Sequence, residues 1–398
     1  MRRICVIVTA RPSYARVKTA LEAMRDHPAI DLQIVVAASA LLDRYGRVVD
    51  VIRKDGFEVA AEVYSVLEGG AVAQSVRSVG IGLIELASVL SRLEPDAVVT
   101  IADRYETIAN AIAASFMNLP LVHIQGGEFT GSIDNKVRHA ITKLADVHLV
   151  ASELARHRVV SMGEDPRYVI NTGCPSVDLA AEVARDPGLD FDPFERYTGT
   201  GPSFDLSGGY VVVLQHPVTT EHDDAFEQAR ISLDAVRALG KPVFWFWPNV
   251  DAGSDGTSKA LRMFREREGD RPFHFFKNML PQDFLRLIVN SDCLIGNSSV
   301  GIRESAFLGV PVVNIGTRQN GRERGPNVAD VAHDVDAIRA AATRQIAHGR
   351  YPASHIYGDG RAGVRIAEEL ARVELTIEKR DFLVPAGAAL GLVEREGL

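Results

Sequence analysis

The feature that most constrains the fold of this 398-residue chain is a recurrence of short, almost uninterrupted apolar runs bounded by turn residues. ICVIVTA (4–10), LQIVVAAS (32–39), AVVTIAD (97–103), LVHIQGG (121–127), VHLVAS (147–152) and YVINTG (168–173) are rich in Val and Ile and show little period-two alternation. Strands that read this way are covered on both faces, which is the condition of a parallel sheet. Helical patterns of fitting length lie between them, at 14–27, 104–117 and 134–144. This βαβ rhythm predicts a doubly wound α/β layer.

The rhythm stops between Asp186 and Gly209, where the chain is dense in Gly, Pro, Asp and Ser. It restarts with YVVVLQHP (210–217), VFWFWPN (243–249), FHFFKN (273–278), CLIGNS (293–298) and VPVVNIG (310–316). We therefore expect a first α/β domain at 1–185, a linker and excursion loop at 186–209, and a second α/β domain at 210–360. A C-terminal helix and tail at 361–398 is expected to pack back on the first domain. Two such domains leave a cleft between the carboxyl ends of their strands, where ligands of open α/β sheets sit.

Composition removes several classes of function. A net charge of −8 argues against a protein that coats nucleic acid. Cys5, Cys174 and Cys293 are odd in number and far apart, so neither a disulfide framework nor a zinc site is indicated and a reducing cytoplasm fits. Arg2 and Arg3 precede an apolar run of only seven residues, which reads as a buried first strand and not as a signal peptide. No apolar stretch reaches the ~18 residues a membrane span needs. His and carboxylate spacings reproduce no H-E-x-x-H pattern, so no metal is expected.

Chemistry should then sit just after strands, and neither a G-x-G-x-x-G, a P-loop nor a G-x-S-x-G turn is found there. The turn Gly296-Asn297-Ser298-Ser299-Val300-Gly301-Ile302-Arg303-Glu304 offers small side chains and backbone N–H groups to an anion. Glu304, six residues after Ser298, is placed to accept from a ribose hydroxyl pair. Diphosphate plus ribose implies a nucleotide, with Arg11 and Arg16 as anion partners from the first domain. The competing reading makes Ser298 and Ser299 plain N-caps and Glu304 part of a solvated face.

A second constellation, Asp103, His123, Glu128 and Asp134, surrounds two neighbouring strand ends of the first domain. Clustered carboxylates in a cleft can abstract and return protons. Taken singly, Asp103 and Asp134 also read as helix N-caps, and His123 as a satisfied core histidine. His216, fixed by Pro217, approaches from across the cleft.

ADRYE, HIQGGE followed by TGSIDNKVRHAITKLADVHLVAS, QHPVTT, WPNVDAGS, and GNSSVGIRE followed by GVPVVNIGTRQNGRERG occur here in that order. Over about Ile4 to Val331 the chain resembles the UDP-N-acetylglucosamine 2-epimerase family, closest to the hydrolysing branch that feeds sialic and legionaminic acid synthesis. The resemblance implies two Rossmann-like domains of the glycosyltransferase-B type with the nucleotide between them, the second domain holding UDP. It implies UDP contacts from Arg11, Ser298, Ser299 and Glu304, with Arg104 and Asn249 as further contacts. Asp103 and Asp134 are implied as acids or bases, His123 as lining the sugar site, and His216 as facing the diphosphate. The implied reaction couples removal of the proton on sugar carbon 2 to loss of UDP, and gives the free 2-epimer through a 2-acetamidoglucal. No cofactor is implied. A cytoplasmic homodimer or dimer of dimers is.

The chain departs from the family at two positions. Gln125 stands where a catalytic Glu usually precedes the Gly-Gly pair, and Ser13 where an acidic residue is common. An amide cannot serve as a base. Either Glu128 or Asp134 takes over, the reaction is altered, or Gln125 orients water. The alternatives are a non-hydrolysing UDP-sugar epimerase, acting at carbon 2 or another ring position, and a non-catalytic UDP-sugar-binding protein.

Overall fold

The computed structural model describes residues 1–43, 46–67, 72–101, 104–129, 134–248, 253–379 and 382, the side chains of Val72 and Asp134 excepted. Among these residues the first sheet is built from β1 (Arg2–Val8), β2 (Ile30–Ala37), β3 (Ala61–Val63), β4 (Ala97–Ile101), β5 (Leu121–Ile124), β6 (Val147–Val150) and β7 (Val169–Asn171). Its strand order is β3-β2-β1-β4-β5-β6-β7. All of its pairings are parallel.

The second sheet comprises β8 (Gly199–Thr200), β9 (Val211–Leu214), β10 (Val243–Phe246), β11 (Phe273–Phe276), β12 (Cys293–Gly296), β13 (Val312–Ile315) and β14 (Val328–Val331). The order is β14-β13-β12-β9-β10-β11-β8, antiparallel only at β8.

Unbroken apolar strands are what this architecture requires. Ile4, Val6 and Val8 enter one core, while Cys5 and Ile7 of the same strand enter another on the opposite face. Val211 and Val213 are likewise separated from Val212 in the second domain. Each buried Val or Ile contributes about 1.5–3 kcal/mol of transfer free energy, so neither face can be left to solvent.

Among the described residues the chain crosses between domains twice. The helix Pro175–Arg185 places Ala180 and Val183 in a second-domain core. The helix Ala362–Arg372 returns, placing Ile366, Ala367 and Leu370 in the first-domain core. Asp178 joins the two crossings, its carboxylate accepting from the Ala362 and Gly363 N–H groups at 2.8 and 2.7 Å. Where the crossings meet, the Cys174 N–H donates to the Tyr357 carbonyl at 2.8 Å. Gly173 and Gly358 touch there, and a Cβ on either would lie 3.2 Å from the other's Cα.

Several expectations are redrawn. The helix at 14–27 is two helices, Arg11–Ala15 and Lys18–Arg25, interrupted at Val17 (φ −125°). The expected linker at 186–209 is built into the second domain: Phe204 packs on Phe244 with ring centroids 4.9 Å apart, and β8 extends the sheet beside β11. Among the described residues no helix is long and apolar enough to cross a membrane.

Candidate active site

The first domain's half of the site is the turn after β5. Gln125 keeps its N–H on the Leu149 carbonyl of β6 at 2.9 Å but has φ +64°, a conformation unusual outside glycine. Gly127 follows at φ +76°, and a Cβ there would sit 2.3 Å from the Ala155 carbonyl oxygen. The tight reversal turns Glu128 toward the second domain. Gln125 itself is buried, its amide Nε2 donating to the Cys174 thiol at 3.1 Å while Oε1 has no partner among the described residues.

His123 is fully buried in β5, its Nδ1 3.2 Å from the Thr142 hydroxyl. That hydroxyl donates to the Arg138 carbonyl at 3.0 Å, which leaves its oxygen to accept from the His123 Nδ1–H.

The second domain's half is assembled where β9 and β12 end side by side. Gly296 (φ +136°) allows this, since a Cβ would meet the Leu214 carbonyl oxygen at 2.2 Å. Asn297 staples the two turns: its Oδ1 accepts from the His216 N–H at 2.7 Å and its Nδ2 donates to the His216 carbonyl at 2.8 Å. His216 is buried, and burial followed by the charge of Arg318 holds its pKa well below the ordinary value, so the imidazole is neutral.

Ser298 caps the short helix Ser299–Ile302, its hydroxyl accepting from the Val300 N–H at 3.4 Å. The space above Gly301 is closed by Val312, whose Cγ1 would be 3.0 Å from an added Cβ. Glu304 opens the next turn, and its buried Oε2 has no hydrogen-bond partner among the described residues.

The halves meet at Glu128. Its carboxylate Oε2 accepts from Arg303, and Arg322 is 3.4 Å away, both from the second domain. The Glu128 carbonyl accepts from Arg138 at 2.8 Å. All these side chains are buried. Burial pushes the Glu128 pKa up, but Arg303, Arg322, Arg138 and Arg16 together outweigh it and bring the value down to about 2. Glu128, expected among the acid/base groups, is thus an ionised partner in an interdomain ion cluster. A group held so far from neutrality is a poor carrier of protons at physiological pH.

The remaining expected residues divide. Arg11 opens its helix as an exposed side chain, and Arg16 ends it, half-buried and close enough to act on Glu128. The Arg104 guanidinium is held by Glu106 at 2.8 Å. Asp103 and Asn249 lie outside the described residues; Asp134 begins the helix Asp134–Leu144, with its side chain outside them.

Residues that sequence reasoning did not single out are Arg138, Arg303 and Arg322. Arg303 sits within the quoted GNSSVGIRE string and Arg322 within TRQNGRERG, so the motif positions were available although their burial was not.

Two mostly parallel Rossmann-like layers that meet at Glu128 make this a fold of the glycosyltransferase-B type. Residues 22–371 match the family described as UDP-N-acetylglucosamine 2-epimerase, and the chain belongs to that family. It is 31% identical over 375 residues to the UDP-N,N'-diacetylbacillosamine 2-epimerase (hydrolyzing) of Legionella pneumophila, covering 94% of this chain and 97% of that one. It is 27% identical to the GDP/UDP-N,N'-diacetylbacillosamine 2-epimerase (hydrolyzing) of Campylobacter jejuni, covering 83% and 84%. Among solved structures, UDP-GlcNAc 2-epimerase from Neisseria meningitidis bound to UDP-GlcNAc superimposes with a TM-score of 0.76 at 16% identity, over 92% of this chain and 99% of that chain.

Proposed function

We propose that the protein is a hydrolysing 2-epimerase of a UDP-activated 2-acetamido hexose, either UDP-N-acetylglucosamine or a 2,4-diacetamido relative. The observation that carries the reading is the Glu128–Arg303 contact. It brings the β5 turn, with His123 and Gln125, within one side chain of the Ser298–Glu304 turn. In this reading the donors for a nucleotide and the groups for a sugar stand on the two sides of that contact. The identity to relatives named as hydrolysing epimerases supports the same conclusion.

The proton on sugar carbon 2 is weakly acidic, so its removal must be coupled to cleavage of the bond from carbon 1 to UDP. A base takes the proton, the C–O electron pair leaves with the diphosphate, and a 2-acetamidoglucal remains. Water then adds its hydroxyl to carbon 1 while an acid protonates the opposite face of carbon 2. The products are UDP and the free 2-epimer. In this reading Asp103 and Asp134 exchange the protons, a role that rests on the family resemblance. Neutral His216 and the N–H groups at Ser298 and Ser299 receive the developing diphosphate charge, with Arg11 as a further cation. Glu304 holds the ribose.

Gln125 orients the sugar or water without exchanging protons. The resemblance also supports a cytoplasmic homo-oligomer supplying nonulosonic acid synthesis. Incubation with each UDP-sugar in deuterated water tests the proposal: UDP release with deuterium at carbon 2 of a free epimer is expected. An intact epimeric UDP-sugar would indicate the non-hydrolysing reaction, and neither product would refute both.

A further inference from the structure

Glu128 is joined to more than its nearest cation. Arg322, 3.4 Å from the carboxylate, donates to Gln319 Oε1 at 3.0 Å. Gln319 Nε2 in turn donates to the Asn297 carbonyl at 2.8 Å, and Asn297 is the residue that staples His216. On the other branch, Arg303 immediately precedes Glu304 and lies over the Tyr357 ring at 5.7 Å. Tyr357 donates through its hydroxyl to the Glu323 carbonyl at 2.9 Å, while its own carbonyl accepts from Cys174 at the interdomain crossing. Ser152 of the first domain bonds the Glu323 carboxylate. One carboxylate of the first domain therefore anchors both functional turns of the second, the one carrying Glu304 and the one carrying His216.

We propose that Glu128 is a positioning residue that clamps the two domains in the reactive register, and that it takes no part in proton exchange. The proposal rests on the function proposed above for the consequence to turnover, but the clamp itself is a statement about domain closure. The charge balance favours the same assignment. Arg303 and Arg322 are buried beside each other with Glu128 as the carboxylate between them, so its loss leaves two guanidiniums from one domain repelling each other and a third, Arg138, from the other. The cleft would then open at its floor. Displacements of about 1 Å between reacting groups cost on the order of 100-fold in rate.

The test compares the full-length protein with Glu128→Gln, Glu128→Asp and Arg303→Lys. Three quantities are measured: the radius of gyration by solution scattering with saturating UDP, UDP affinity by calorimetry, and the pH profile of kcat for UDP release from UDP-N-acetylglucosamine and its diacetamido relative. The expected result is a larger radius for Glu128→Gln, UDP affinity within about 5-fold, and kcat lower by about 100-fold with both limbs of the pH profile in place. Glu128→Asp, which keeps the charge, recovers part of both compactness and kcat, and Arg303→Lys is intermediate. Loss of a limb of the profile in Glu128→Gln would make Glu128 a proton carrier and overturn the proposal. Unchanged radius in Glu128→Gln would overturn it as well. Should the wild-type protein turn over neither sugar, the proposed function fails, and the scattering comparison alone decides the clamp.

Discussion

Glu304 gives the sharpest quantitative test of the nucleotide half of the site. Its Oε2 is buried and has no partner among the described residues, so much of the cost of removing that oxygen from water is already borne by the folded protein. A ribose hydroxyl arriving there forms a bond to a charged acceptor without a compensating loss of protein–water bonds on the enzyme side. Such bonds are worth about 1.5–3 kcal/mol. At ~2 kcal/mol, Glu304→Ala should weaken UDP binding by about 30-fold. The assay is calorimetric titration of wild type and Glu304→Ala with UDP, 2′-deoxy-UDP and 3′-deoxy-UDP. The wild-type protein should lose a similar factor for at least one deoxynucleotide, whereas Glu304→Ala should bind that deoxynucleotide and UDP alike, because the partner is already gone. Coupling in this cycle isolates the contact from general damage to the turn. If UDP binds equally to both proteins, or if both discriminate the deoxynucleotides to the same degree, Glu304 does not hold the ribose.

Three further outcomes follow from other contacts. Asp178→Ala leaves the Ala362 and Gly363 N–H groups without their acceptor and the Thr19 hydroxyl with the Pro175 carbonyl alone, and at ~1 kcal/mol for each of the two N–H groups it should lower the free energy of unfolding by about 2 kcal/mol, read from the urea midpoint. Glu128 and Glu164 should make the protein acid-labile. Burial raises the Glu164 pKa, but bonds from His148, Lys143 and Lys379 bring it down to about 2, as the arginines do for Glu128, against an ordinary value of 4.5. Each depressed carboxylate stabilises the fold fully above pH ~4.5, and that contribution, roughly 3 kcal/mol, is lost as pH falls toward ~2; a melting temperature that stays flat from pH 5 to pH 3 would contradict this. Asp103→Asn should reduce turnover far more than UDP affinity, while Ser298→Ala should mainly weaken UDP binding; steady-state kinetics beside UDP titration would expose a reversed pattern.

The fold is legible because its strands are buried on both faces. The run at 4–10 overlaps β1 and the run at 210–217 contains β9, and the pattern at 134–144 matches the helix Asp134–Leu144. What escaped are elements whose burial is partial. The burial of β14 runs from half-buried to exposed without an apolar run, and β3 is three residues long at a sheet edge. Neither has enough periodicity to be read. The interruption at Val17 and the docking of 186–209 are decided by tertiary packing, which overrides local propensity.

The site divides along the same line. Strand-end turns such as 296–304 could be found because turn chemistry is local: Ser298 as a cap is set by its neighbours in sequence. The partner of Glu128 could not be found that way, because Arg303 is 175 residues distant and carries a side chain whose default place is solvent. An arginine in a sequence reads as a surface residue or a phosphate ligand. Only the closed pair of domains shows that Arg303 and Arg322 are buried and committed to a carboxylate. The same closure changes what Glu128 is: an acidic residue two positions beyond a strand-end glycine suggests a proton carrier until the charges facing it are counted. Once they are, its ionised form is strongly favoured, which supports the role proposed for Glu128 of fixing where the acid and base stand.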